Sequence, residues 1–273
     1  MNRINQLLLS QSTNIDDYSS CRLKLENYLA FCQGKSKEKT TNFFWQLITL
    51  LRIKNNFLIS FNYLKSDKFY ESWCILETIE IDLNNLLDNS NKEFFIKYKL
   101  DFYRIYVEKW QSLFPYKIFL SMGFIASDFH CSICGHLLRP RNQCVHKKGK
   151  IYDGELCIHI CSKIDDILEV SFVKNPMQKC CIIIKDYDYS LLQFLIQRLN
   201  SPFDGWYYFK TKIQVQRDNF NEVCESSPCP CQQNDKNFKD CCFNKSEIEI
   251  PHIEFILEKP FSEELPDLIL PNY

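Results

Sequence analysis

The sequence predicts an α+β protein: a helical N-terminal half, then a small mixed sheet with a zinc knuckle, and a C-terminal zinc module. Three observations carry this. Residues 14 to about 122 have few turn signals and set apolar residues three and four apart. After Met122 the apolar runs become short, β-branched and turn-bounded. Eight or nine of the fifteen cysteines fall in clusters spaced like metal ligands.

Taken in order, a helix is expected around residues 42–51. Phe69, Trp73, Leu76, Leu83 and Leu87 then form a stripe with Glu80 as its one polar break, leaving Glu71, Glu77, Asp82 and Asp88 mostly on the wet side. Asp88-Asn89-Ser90-Asn91 predicts a turn and cap. The next helix carries Phe95, Phe102, Ile105, Tyr106, Trp110 and Leu113 until Pro115 stops it, making an antiparallel pair. Aromatic stripes at this spacing read as helical core. Strands are expected at residues 156–161, 167–174 and 180–185, with Asn175-Pro176 as a turn. A helix over 189–199 closes at Ser201-Pro202, and strands follow at 206–209, 212–216 and 252–257. The domains expected are 1–122 (helical), 123–220 (zinc-containing α/β), 221–246 (zinc module) and 247–273 (C-terminal strand and tail).

Composition limits the function. At 273 residues, with 45 % hydrophobic content, 22 Phe and 14 Tyr, the chain can bury one large or two small cores. A net charge of −1 argues against the broad basic surface of a non-specific nucleic-acid binder. Six glycines leave little room for phosphate loops, and no Walker or dinucleotide fingerprint is present. MNRINQLLLSQSTN does not read as a signal peptide, and the apolar runs fall short of the roughly 20 residues of a membrane helix. A cytoplasmic protein without membrane contact is expected. In a reducing cytosol Cys21, Cys32 and Cys74 behave as small hydrophobes.

Cys131-Ser-Ile-Cys134-Gly135 reads as a zinc knuckle, two thiolates with two residues between them and a glycine where the chain turns under the metal. Cys144, His146 and Cys157 follow, giving five ligands for four places. Cys131, Cys134, Cys144 and His146 are the expected set, as two compact half-sites, with Cys157 the substitute and His136 a weaker candidate. On a strand, Cys157, His159 and Cys161 would share one face, and a third metal there would need a fourth ligand from Cys180 or Cys181. In the tail, SPCPCQQNDKNFKDCC gathers Cys229, Cys231, Cys241 and Cys242 in a loop too short to bury a core of its own. A tetrahedral Zn²⁺ wants four soft ligands at about 2.3 Å and can fold such a segment outright. Two Zn²⁺ per chain are expected.

The tail resembles the SEC-C motif, the zinc-binding tail known from the bacterial preprotein-translocase ATPase and from many otherwise unrelated bacterial proteins. The match covers roughly 20 of the 273 residues. The resemblance implies that Cys229, Cys231, Cys241 and Cys242 bind zinc and that the module docks another protein. Gln232-Gln233-Asn234-Asp235 replaces the family's Gly-Ser-Gly turn, and its lysine run is thinned to Lys236 and Lys239. Further segments (WQSLFPYKIFLS, CSICG, CVHKKGKIYDGELC, VSFVKNP and YDYSLLQFLIQRLNSPFDGWYY) are similar to uncharacterised bacterial proteins bearing the same motif, often carried in mobile or prophage-like regions.

The function expected is that of a zinc-binding, non-enzymatic adaptor whose tail docks a protein partner through Lys236, Phe238 and Lys239. A nucleic-acid-associated role is the alternative, using the basic rim of Arg139, Arg141, Lys147, Lys148 and Lys150. A zinc-dependent hydrolase is a second alternative. It would need an open coordination position, whereas both clusters offer four closed ligands, and no Gly-x-Ser-x-Gly elbow or His-Glu-x-x-His helix appears.

Overall fold

Twenty-eight residues without a glycine or proline build the longest element, α3 (Glu38–Lys65). The computed structural model describes residues 2–35, 37–233 and 236–258, and the chain divides into two units, Met1–Asp186 and Tyr187–Tyr273. The fold is α+β: helices in the N-terminal half, small antiparallel sheets after them.

In the first unit α1 (Asn2–Leu9) precedes α2 (Ile15–Cys32), which starts where the Asn14 side chain accepts from Asp16 N. α3 packs against both α2 and α4 (Phe69–Asn89). Trp73 on α4 sits in an aromatic cluster, its ring 5.1 Å from Phe114 and 5.0 Å from Tyr116. The expected turn at 88–91 is present, with Asn91 Oδ1 accepting from Phe94 N at 2.9 Å. The helix expected beyond it is two helices, α5 (Lys92–Lys97) and α6 (Leu100–Leu113), because Lys99 takes a left-handed conformation at φ +52°. The expectation for the wet side of α4 also needs correcting. Glu77 and Asp82 are buried, and Leu87 is exposed. Asp82 binds Arg52 through two 2.6 Å hydrogen bonds. Glu77 accepts from Lys179 N and Cys180 N and from the Cys180 thiol. Buried carboxylates are tolerated where such donors satisfy them.

β1 (Phe119–Cys131) pairs antiparallel with β5 (His159–Val173), from Phe119↔Val173 to Cys131↔His159, with bulges around Gly123–Phe129. β5 therefore absorbs most of two expected strands, while the first of them breaks at Cys157–Ile158. β2 (Leu137–Leu138) pairs with the end of β1, and β3 (Ile151–Tyr152) with β4 (Glu155–Leu156). Residues 180–185, expected as a strand, form only an isolated bridge between Ile182 and Phe119. Glu77 takes the backbone N–H of Cys180, at the start of that stretch, and of Lys179 before it.

In the second unit α7 (Ser190–Arg198) precedes a hairpin of β6 (Trp206–Gln216) and β7 (Glu247–Leu257), in unbroken register from Trp206↔Leu257 to Gln216↔Glu247. The two strands expected at 206–209 and 212–216 are thus one. The cysteine loop is inserted between β6 and β7. Phe194 of α7 stacks on Phe255 at 5.8 Å. The tail expected after Glu258 lies outside the described residues, as do Asn234 and Asp235. No helix among the described residues is long and apolar enough to cross a membrane.

Candidate metal centres

The first centre is built at the end of β1. Cys131 is its last residue, and the chain turns at once, with Gly135 N donating to Cys131 O at 2.8 Å and Cys131 N to His136 O at 3.0 Å. Gly135 sits at φ +71°, a conformation that glycine adopts without a Cβ penalty. This turn brings Cys134 back beside Cys131. Cys144 and His146 arrive on the loop before β3. The ligand atoms of Cys131, Cys134, Cys144 and His146 all lie within 4.8 Å of one another, so the expected four converge on one point.

Cys157 stands outside that group of four but touches one of its members. Its Sγ lies 3.8 Å from Cys131 Sγ, and both residues are buried. Two thiolates bonded at about 2.3 Å to one tetrahedral ion stand about 3.8 Å apart. Backbone bonds fix Cys157 at the exit of β4: its N donates to Lys150 O, and its O accepts from Gly149 N, each at 2.8 Å. His146 is held edge-on to Tyr152, ring centroids 4.6 Å apart, and its buried Nδ1 has no hydrogen-bond partner. A buried ring nitrogen without a proton partner is what a metal ligand requires. The weaker candidate His136 has a buried unpartnered Nε2 but stands outside the converging group. Cys161 also joins neither group, its thiol donating to Lys163 O instead.

The hairpin that carries the centre is anchored to the helices. Asp153 and Gly154 make its turn with φ of +46° and +79°, the positive pair that a tight two-residue hairpin demands. Asp153 Oδ1 accepts from Thr41 Oγ1 at 2.8 Å, its Oδ2 from Gly34 N at 2.7 Å, and Gly154 N donates to Asn42 Oδ1 at 2.8 Å. Asp153 is therefore a tether, a role that its place in a Gly-x-x-Tyr-Asp-Gly string does not advertise.

The second centre lies between β6 and β7. Cys229, Cys231, Cys241 and Cys242 place their sulfurs within 4.8 Å of one another, with Cys231 to Cys241 at 3.5 Å and Cys241 to Cys242 at 3.7 Å. Two turns do this. Gln232 N donates to Cys229 O, and the N–H groups of Cys241, Cys242 and Phe243 all aim at Phe238 O. Phe238, expected on the partner surface, is instead fully buried, its ring packed on Phe243 and among Cys229, Cys231, Cys242, Ile248 and Ile250. The module uses Phe238, backed by Phe243, as a plug between the cysteines and the β6–β7 hairpin. Lys236 and Lys239 are exposed, and Lys239 faces Glu225 at 3.6 Å.

The electrostatics of both centres are those of crowded, buried thiols. Burial pushes the Cys157 thiol up to about 11, and burial likewise raises Cys229 and Cys242. Burial acts the same way on Cys131, but the N–H groups of Cys134 and Ile133 and the neighbouring thiols outweigh it and draw that thiol down to about 6. A cation bound among them would offset the repulsion that otherwise keeps these thiols protonated.

The basic rim is divided by the structure. Arg139 is engaged by Asp128 at 2.9 Å and by Ser127 O, and Lys150 Nζ donates to Asp88 O at 2.7 Å. Arg141, Lys147 and Lys148 are exposed, with no carboxylate partner among the described residues. Comparison with family models, with curated proteins and with solved structures finds no match to this chain.

Proposed function

We propose that this chain is a zinc-binding, non-enzymatic interaction protein of the cytosol. Cys131, Cys134, Cys144 and His146 hold one Zn²⁺, and Cys229, Cys231, Cys241 and Cys242 hold a second in a SEC-C-like module that docks a protein partner. The observation that carries the reading is the tail quartet, whose sulfur separations of 3.5 and 3.7 Å fit four bonds of about 2.3 Å to one ion. The mixture of thiolate and imidazole at the first centre favours zinc over harder cations. Each centre supplies four protein donors, which closes the coordination sphere and supports a structural rather than a hydrolytic metal. With Phe238 buried, the docking surface falls to Lys236, Lys239 and the exposed Gln232 and Gln233.

Metal analysis of the purified full chain should give about two zinc ions per chain, and fewer than one would sink the reading. Affinity purification from the native cell, comparing wild type with Cys241→Ser and with Cys242→Ser, should lose the same co-purifying protein in both variants. A second reading rests on Arg141, Lys147 and Lys148, which leave part of the basic rim open to phosphates. It requires a gel shift that weakens steeply with salt and in Lys147→Glu/Lys148→Glu.

A further inference from the structure

The helical unit contains a cavity of about 260 Å³ that the metal chemistry does not use. Leu8 at the end of α1 lines one side, Phe102 and Tyr103 of α6 another, and Lys54, Lys97 and Lys99 supply its polar groups. Lys54 is the unusual member. It lies in the middle of α3 and is 4 % exposed, and its Nζ donates to Ser10 O at 2.9 Å and stands 5.9 Å from the Tyr103 ring. No carboxylate among the described residues pairs with Lys54, Lys97 or Lys99, and Asp101, the acid nearest in sequence, is engaged by Arg104 at 2.8 Å. Burial, then the charge of Lys99, pushes the Lys54 ammonium down to about 8.

Such an arrangement works against stability. A buried ammonium without a counter-ion is among the most unfavourable groups an interior can hold. Lys99 adds to this by holding a left-handed backbone at φ +52°, where a residue with a Cβ is strained. The same residue begins α6 without a side-chain cap, so the first-turn N–H groups of a fourteen-residue helix add a positive end beside the lysines. Three cations without acid partners, gathered on an aromatic-walled cavity, make a preformed receptor for an anion.

We propose that this cavity binds a small phosphate monoester, its phosphoryl group held among Lys54, Lys97 and Lys99 and its apolar body against Leu8, Phe102 and Tyr103. At about 260 Å³ the cavity falls just under the roughly 300 Å³ at which drug-sized sites begin, so it takes only a compact ligand and excludes a polymer. Compact ammonium charges suit the oxygens of a dianion, and three of them outnumber what one carboxylate needs. A bound dianion also supplies the counter-charge that Lys54 lacks.

The test is calorimetric titration of the full chain with phenyl phosphate at low salt, with inorganic phosphate, benzoate and phenol as comparison probes. Phenyl phosphate should bind one per chain, more tightly than inorganic phosphate or benzoate, while phenol should not bind. The affinity should fall about tenfold or more in Lys54→Met and in Lys97→Gln/Lys99→Gln. Lys97 and Lys99 are exposed, so their double variant keeps the fold and the zinc content, which separates loss of the site from loss of structure. Absence of phenyl phosphate binding, unchanged affinity in the double variant, or benzoate binding as tightly would each overturn the proposal.

Discussion

Cys157 Sγ stands 3.8 Å from Cys131 Sγ across 26 residues of sequence, which sets a fifth donor beside a centre whose four converging ligands are Cys131, Cys134, Cys144 and His146. Cys157 is the more firmly placed of the two contenders for the last position, being fully buried and tied by two backbone bonds to the strand pair beneath it. His146 sits on a loop, with its imidazole against Tyr152.

From this crowding follows a redundancy. Either His146→Ala or Cys157→Ala alone should retain about two zinc ions per chain, whereas the double variant should fall to about one. Elemental analysis of the three purified variants checks it. A drop to one in His146→Ala alone would show that Cys157 never reaches the metal.

The tail module should depend on its plug as well as on its ion. Phe238→Ala removes a fully buried ring from the centre of a cluster of cysteines, Phe220 and residues of β6 and β7. A loss of about 3–5 kcal/mol is expected for such a deletion. Chelator unfolding followed by near-ultraviolet circular dichroism should then occur at lower chelator concentration than in wild type.

Gly154 admits no side chain. A Cβ there would lie 2.3 Å from Leu29 Cδ1 and 3.1 Å from Thr41 O, at φ +79°. Leu29 can swing away, but the carbonyl cannot, so Gly154→Ala should destabilise by about 1–3 kcal/mol. Thermal melting reads the loss. Asp153→Ala, which deletes bonds to Thr41 and Gly34, should lower the melting temperature in the same direction.

Lys54 makes stability depend on pH. Its ammonium is held at about 8 in the folded chain against 10.5 for an unburied lysine. Between these values the unfolded chain keeps a proton that the folded chain has released, so stability rises with pH through that window. Below it both states are charged, and the folded state carries the full penalty. Lys54→Met should therefore stabilise the chain at pH 7 by on the order of 1–3 kcal/mol, an advantage that shrinks as pH approaches 10.5. Urea unfolding at pH 7 and pH 10 measures both ends. A gain that does not change with pH would show that lost packing, and not charge, governs the variant.

Cys180 should respond to its carboxylate. Burial, then the Glu77 side chain, hold its thiol well above the usual cysteine range. Glu77→Gln removes the negative charge while keeping an acceptor, so alkylation of Cys180 by a maleimide at pH 8 should speed up. Mass mapping of the modified cysteine over time decides it; an unchanged rate at Cys180 would mean that burial and the neighbouring Cys74, not the carboxylate, protect the thiol.

The two cysteine clusters were legible in the sequence because metal ligation is local chemistry. Cys-x-x-Cys-Gly and Cys-x-Cys…Cys-Cys each bring their sulfurs together through turns only a few residues long. The helical half was legible for a related reason, since three-four spacing declares a buried face wherever the partner comes from. Tertiary structure alone decided which polar groups belong inside. Asp82 and Glu77 read as solvent-facing because their partners, Arg52 and the 179–180 backbone, are 30 and 102 residues away. Phe238 read as an exposed contact because nothing in a cysteine loop announces that this ring will face β6 and β7. Lys54 carries no signal of its own in the sequence, and only the packing of α1 and α6 around it made it a buried charge. Short-range geometry is written in adjacent residues; burial is a property of whatever folds back over them.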